Sequence, residues 1–228
     1  MLNTVVCCDA LIGMKHLIDN GIKADLIVTD PPYRLTPMGQ THLGGMMIKA
    51  KEMNGELFPI PDVYEWMKLC YDILKDGTHC YVMCNNINLQ EFLDAGNKAG
   101  FKFVKNLIWV KGNKITGRFY MNAYEYIIFF RKGKQRQINK CGTADVLNIS
   151  FKKLKGDNGK NLHDTEKPVE LMKILIENSS NENELVIDPF AGIGSTGVAC
   201  KDLNRQFIGF ECNQQFTDIA LKRISENN

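Results

Sequence analysis

Apolar residues fall along this chain in two rhythms. Short runs at Thr4–Cys8, Leu26–Thr29, His79–Met83, Leu185–Ile187 and Phe207–Phe210 read as buried strands. Between them, apolar residues recur at helical spacing over 10–18, 63–74, 89–99, 169–178, 198–203 and 215–225. Lys75-Asp76-Gly77 and Gly100 punctuate two of these helices. Two further strands, Phe103–Val110 and Tyr124–Phe130, are joined by a polar connection containing glycine. Strands alternating with helices imply an α/β fold, its parallel sheet covered on both faces. Two stretches break the rhythm. Residues 34–61 are rich in Gly, Met, Thr and Lys with little periodicity, and 132–161 lack a clear core pattern. So long a stretch without a pattern usually has a functional reason.

The chemistry gathers where strands end. Leu26–Thr29 runs straight into Asp30-Pro31-Pro32-Tyr33. Two prolines have no backbone N–H and a fixed φ, so the chain turns there with its carbonyls directed outward. A carboxylate, carbonyls and an aromatic ring together suit a planar amine: the oxygens accept from its –NH2 and the ring lies against its heterocycle. A strand-ending turn without a ligand is the plainer reading. Near the other terminus, Leu185–Ile187 leads into Asp188-Pro189-Phe190-Ala191-Gly192-Ile193-Gly194-Ser195-Thr196-Gly197 and then a helix. Glycines at such a turn let a ligand approach the backbone at a helix N-terminus. Gly192, Gly194 and Gly197 also satisfy G-x-G-x-x-G, which is weak on its own. Glu211 closes the next strand, where an acid can accept from ribose hydroxyls.

These two motifs together resemble those of the DNA amino-methyltransferases, which carry a methyl group from S-adenosylmethionine to an exocyclic base amine. Asp30-Pro31-Pro32-Tyr33 resembles their catalytic motif, and Asp188 to Gly194 their cofactor loop. The catalytic motif precedes the loop, an order similar to that of the circularly permuted β group. His163-Asp164-Thr165-Glu166-Lys167-Pro168 resembles the family's H-P-T-x-K-P element, departing from it at Asp164 and Glu166. Trp109-Val110-Lys111 and Tyr124-Glu125-Tyr126 resemble its later strand motifs. The resemblance spans nearly the whole chain. It implies a single Rossmann-like methyltransferase domain over 1–228, its mostly parallel sheet bearing an antiparallel edge. The Asp30 and Asp188 strands would be neighbours at the carboxyl edge.

The resemblance also implies roles. Asp30, Pro31, Pro32 and Tyr33 would act on the target base, N6 of adenine, flipped out of DNA. Asp188, Phe190, Gly192, Gly194, Ser195 and Thr196 would form the cofactor turn, with Thr165 and Lys167 holding the cofactor's carboxylate. Glu211 would take the ribose and Asp9 the adenine amine of S-adenosylmethionine. Plainer roles stand beside these: helix capping for Ser195 and Thr196, strand ending for Asp9, a surface ion pair for Lys167. His163 reads as structural, and no metal is needed.

Composition adds constraints. With 228 residues and 44% apolar content the chain can fill one large α/β core. No signal peptide and no membrane-spanning apolar run are legible, which suits a cytoplasmic protein. The eight cysteines lack a C-x-x-C pair and read as reduced, several of them as small hydrophobes. Net charge is only +2, yet residues 102–160 carry 14 Lys and Arg against three acids. That asymmetry fits a DNA phosphate backbone, with 132–161 as a short target-recognition segment helped by the 34–61 loop. A solvated basic face would look the same. A homodimer is left open. Three other readings compete: N4-cytosine as the target, an NAD-dependent dehydrogenase, and a DNA-binding protein whose transferase site has decayed.

Overall fold

A computed structural model describes residues 2–33, 60–115, 120–150, 154, 155, 159 and 166–226. In chain order the elements are β1 (Thr4–Cys7), α1 (Ala10–Asp19), β2 (Ala24–Thr29), α2 (Val63–Ile73), β3 (Leu74–Cys84), α3 (Leu89–Ala99) and β4 (Lys102–Ile115). There follow β5 (Asn122–Arg131), β6 (Val146–Asn148), α4 (Val169–Ser179), β7 (Leu185–Asp188), α5 (Ser195–Asp202), β8 (Gln206–Glu211) and α6 (Gln214–Glu226). The strands make one sheet in the order β1-β8-β7-β2-β3-β5-β4-β6.

β2 and β7 are parallel neighbours, so the carboxyl ends carrying Asp30 and Asp188 lie side by side as expected. β1 pairs in parallel with β8, joining the two ends of the chain (Cys7 opposite Glu211). Among the described strands β5 alone runs against its neighbours, forming the expected antiparallel hairpin with β4. β6, which the sequence pattern did not reveal, lies outside that hairpin and pairs with β4. It is three residues long and only Leu147 points inward, too little for a periodic signal. α2 ends one residue early because Leu74 already pairs with Ala24 of β2.

Every residue of β2 is buried, which explains its unbroken apolar run. Ala24 and Ile27 face a layer built by α1, α2 and α3 around Met14, Trp66, Met67 and Phe92. Leu26 and Val28 face the opposite layer, built by α4, α5 and α6 around Leu171, Leu175, Val198 and Ala220. Cys70, Cys80, Cys84 and Cys200 are buried free thiols, in keeping with their role as small hydrophobes. No described helix is long and apolar enough to cross a membrane.

One buried polar cluster lies beneath the sheet, away from the strand ends. His79 Nε2 lies 3.2 Å from the carbonyl of Arg136, so it carries the proton and donates. Nδ1 then accepts from the Ser179 hydroxyl at 2.8 Å, and that oxygen accepts from Tyr81 at 2.8 Å. Ser and His in contact would suggest a nucleophile, but all three side chains are buried. Burial pushes the imidazole down to about 4. The neutral ring is therefore favoured in the fold, and this stability is lost as pH falls from about 6.5, the unfolded value, to about 4. The expected loss is on the order of 3 kcal/mol. Urea unfolding across that window should show a steeper decline for the wild type than for His79→Gln; parallel curves would contradict the assignment.

Candidate active site

Asp30 leaves the buried end of β2 with its two carboxylate oxygens in different situations. Oδ2 accepts from the ammonium of Lys167. Oδ1 is buried and has no hydrogen-bond partner among the described residues. Lys167 is itself buried, and its nitrogen also lies 3.5 Å from Oε2 of Glu125 in β5. Oε1 of Glu125 accepts from Lys111 of β4. Four charges thus alternate in sign from Lys111 through Glu125 and Lys167 to Asp30.

Burial raises the Asp30 carboxyl above its ordinary value, partly offset by Lys167, with Glu125 pushing the same way as burial. Burial alone would raise Glu125 too, but Lys167 and Lys111 outweigh it and hold that carboxyl low. Burial works against charge on Lys167, yet Asp30 and Glu125 prevail and keep it protonated. Lys167 is therefore not a surface ion pair: its ammonium is buried between Asp30 and Glu125.

Pro31 and Pro32 carry the chain without regular secondary structure to Tyr33. The Tyr33 ring meets Phe92 edge-on at 6.3 Å, Phe92 meets Trp66 at 5.6 Å, and Trp66 meets Phe190 at 5.7 Å. This row of perpendicular rings joins the proline motif to the glycine turn. Burial, then the charges of Glu125 and Asp30, keep the Tyr33 hydroxyl protonated.

Asp188 organises the turn from within. Its Oδ1 accepts from the Thr29 hydroxyl at 2.8 Å and the Phe190 N–H at 3.1 Å, and its Oδ2 from the Thr196 hydroxyl at 2.6 Å. Thr29 immediately precedes Asp30, so one buried carboxylate ties both motifs together. Both of its oxygens being engaged inside the protein, Asp188 sets the turn and does not itself present a free acceptor to a ligand. Gly192 (φ 52°) and Gly194 (φ 82°) have left-handed backbone that glycine adopts readily. A Cβ on Gly194 would also come within 2.9 Å of Ala220 in α6. α5 begins with Ser195 and has no side-chain cap: Thr196 is bound to Asp188, so the capping role considered for these hydroxyls is not observed. The first amides of a helix have no intrahelical acceptor, which leaves this end suited to an anionic or polar ligand.

Glu211 ends β8 with Oε1 accepting from the Asn213 N–H at 2.9 Å. Asp9, across the β1–β8 pair, caps α1 through Oδ1, which accepts from Leu11 and Ile12. Arg223 of α6 donates to the Ile193 carbonyl at 2.6 Å and pairs with buried Glu166 at 3.1 Å. The acid at position 166 thus has its own counter-charge, and the pair links the glycine turn to the segment carrying Lys167. Thr165 and His163 lie outside the described residues, as does 34–59 of the loop singled out above.

Several functional neighbours were not legible beforehand. Glu125 and Lys111 stood in strand motifs without a role; Thr29, Trp66, Phe92 and Arg223 carried no signal, since each matters through a contact distant in sequence. The basic segment is also less available than its charge count suggests. Lys105 pairs with Asp145, Lys111 with Glu125, Arg136 with Glu184 and Lys140 with Glu177. Lys132 donates to the Tyr71 and Leu74 carbonyls, and Arg131 to Gly133.

The family model for DNA methylases matches residues 24–222. The chain belongs to this family. Among curated proteins, the type II methyltransferase M.HinfI of Haemophilus influenzae is 28% identical over 253 aligned residues, covering 99% of this methylase and 69% of that protein. The solved structure of the M1.HpyAVI–SAM complex matches the methylase with TM-score 0.73 and 26% identity, covering 97% of this chain and 98% of that one. PvuII DNA methyltransferase, which is cytosine-N4-specific, reaches TM-score 0.73 at 16% identity over 99% and 89% of the two chains, a likeness of fold. With the family established, the dehydrogenase reading falls.

Proposed function

We propose that this methylase transfers the methyl group of S-adenosylmethionine to N6 of adenine in DNA. The observation that carries the reading is Asp30 Oδ1 at the end of β2, a buried acceptor without a donor among the described residues. Buried polar atoms are rarely left so, and the N–H of an incoming amine would satisfy it. The left-handed turn at Gly192–Gly194, the uncapped start of α5 and Glu211 suit the cofactor: helix-start amides without a side-chain cap and an acid for the ribose. Phe190, Ser195, Thr196 and Glu211 would surround it, with Asp9 at its adenine end and Thr165 beside its carboxylate. Bound S-adenosylmethionine supplies an already activated methyl group on a sulfonium.

The residues of the chain do the rest by positioning. Adenine N6 is a poor nucleophile because its lone pair delocalises into the ring. Hydrogen bonds from its two N–H groups to Asp30 Oδ1 and the Pro31 carbonyl draw the nitrogen toward tetrahedral geometry and free the lone pair. Tyr33 lies along the base, a contact worth about 1–3 kcal/mol by comparison with single-strand binders. Flipping the base from a duplex costs about a few kcal/mol, recovered through these contacts. In-line attack requires the nitrogen and the methyl carbon roughly 3–3.5 Å apart. The proton leaves to water after transfer, since Asp30 stays paired to Lys167. The segment 132–161 and the loop 34–61 would read the DNA sequence within one domain.

N4-cytosine is the second reading, and the fold is common to both targets. Asp30 at the head of the motif favours adenine, because N4-cytosine members of the family more often begin it with serine. Expression in a host lacking adenine methylation, followed by long-read mapping of modified bases, is expected to reveal N6-methyladenine at one short motif. N4-methylcytosine would move the assignment to the second reading, and no modification would favour a decayed site.

A further inference from the structure

We infer that Lys167 is a positioning residue for the transfer step: it pins Oδ2 of Asp30 so that Oδ1 alone is presented to the amine, and it keeps the carboxylate charged. The inference deepens the reading of Asp30 as the amine's acceptor and rests on it. By resemblance Lys167 belongs to an element expected to hold the cofactor's carboxylate, yet its nitrogen lies between Asp30 and Glu125.

The arrangement has the features of a charge-holding device. Four elements each contribute one member: Lys111 from β4, Glu125 from β5, Lys167 from the segment before α4, and Asp30 from the end of β2. The row is neutral as a whole, which makes its burial tolerable; any one member alone would be expelled or neutralised. Among the described residues, the one side-chain hydrogen bond to the Asp30 carboxylate comes from Lys167. The other titratable groups near it among the described residues are Glu125 and Lys111, the neutral Tyr33 and Cys84, and Asp188. Without Lys167, Asp30 would stand between two carboxylates in a buried place and would take up a proton. A protonated Asp30 loses the charge that favours a nitrogen becoming positive. Glu125 has the opposite influence on Asp30, because its charge disfavours a second anion nearby.

This opposition gives a test that a simple structural salt bridge would not pass. Single-turnover methyl transfer is measured against pH at saturating S-adenosylmethionine, with binding of S-adenosylhomocysteine measured by calorimetry. Lys167→Met is expected to slow transfer about 100-fold at neutral pH and to displace the acid limb upward by about one unit or more. Lys167→Arg should retain transfer within about tenfold. Glu125→Gln should displace the acid limb downward. S-adenosylhomocysteine affinity should stay within about threefold in all three. An acid limb unmoved in Lys167→Met, with affinity for S-adenosylhomocysteine reduced tenfold or more, would return Lys167 to the cofactor and overturn the inference. Should Lys167→Met not fold, Lys167→Arg and Glu125→Gln decide: a downward shift in Glu125→Gln alone supports the device, and no shift or an upward one overturns it. Failure of the underlying reading looks different, since Asp30→Ala would then keep wild-type transfer.

Discussion

Asp30→Ala is expected to lower single-turnover methyl transfer by about 10³-fold or more while leaving S-adenosylhomocysteine affinity within about threefold. The asymmetry follows from where the charge develops. The target nitrogen becomes positive only during transfer, so a fixed carboxylate beside it stabilises the transition state more than the ground state. The site is buried, and an electrostatic contact there is worth far more than in water. Alanine removes both the charge and the acceptor. Asn keeps an acceptor of the same shape without the charge, and Asp30→Asn should fall between, at about 10–100-fold. The fold should tolerate both changes, because Lys167 retains Glu125 at 3.5 Å as a counter-charge. Transfer by Asp30→Ala within tenfold of wild type would remove Asp30 from the chemistry.

Asp188→Ala should have the largest effect on the folded state and on cofactor binding. It leaves the Thr29 hydroxyl, the Thr196 hydroxyl and the Phe190 N–H without their acceptor in a buried place. Each unsatisfied donor costs about 1–3 kcal/mol, and the three are coupled, so a total loss of about 4 kcal/mol is expected. With the turn released, S-adenosylhomocysteine affinity should fall about 100-fold or more. Asp188→Asn can still accept from Thr29 and Phe190 through one oxygen, and the Thr196 hydroxyl can rotate to accept from the amide; about 1–2 kcal/mol should be lost.

The penalties of both variants also vary with pH. Burial raises the Asp188 carboxyl to about 6. Ionising it in the fold is therefore costly, and the stability linked to its neutral form is lost as pH rises through that value. The penalty of Asp188→Asn should be greatest near pH 4 and smaller above pH 6. Urea unfolding of wild type and both variants would check this. Equal stability of Asp188→Ala and wild type would show that the carboxylate does not hold the turn.

The two motifs could be read from the sequence because each is local: a strand, a turn with prolines or glycines, and the acid that ends the strand. Backbone chemistry at Pro31, Pro32, Gly192 and Gly194 constrains the turn whatever surrounds it. Alternating rhythms of apolar residues were enough to give the α/β class and, with the resemblance, the adjacency of the Asp30 and Asp188 strands. β6 escaped because three residues with one inward side chain make no period. The basic stretch suggested a DNA footprint, but a charge count cannot tell which lysines bond inside the protein, as Lys132 does.

Motif chemistry and fold class were thus determined by the sequence alone, since they depend on residue type and short-range order. Only the tertiary structure decided that Lys167 turns to Asp30, that Asp188 faces inward, and that Glu125 and Lys111 complete a neutral row. Those assignments depend on which charges are buried together, and burial is a property of the packed sheet: groups 137 and 159 residues apart meet there.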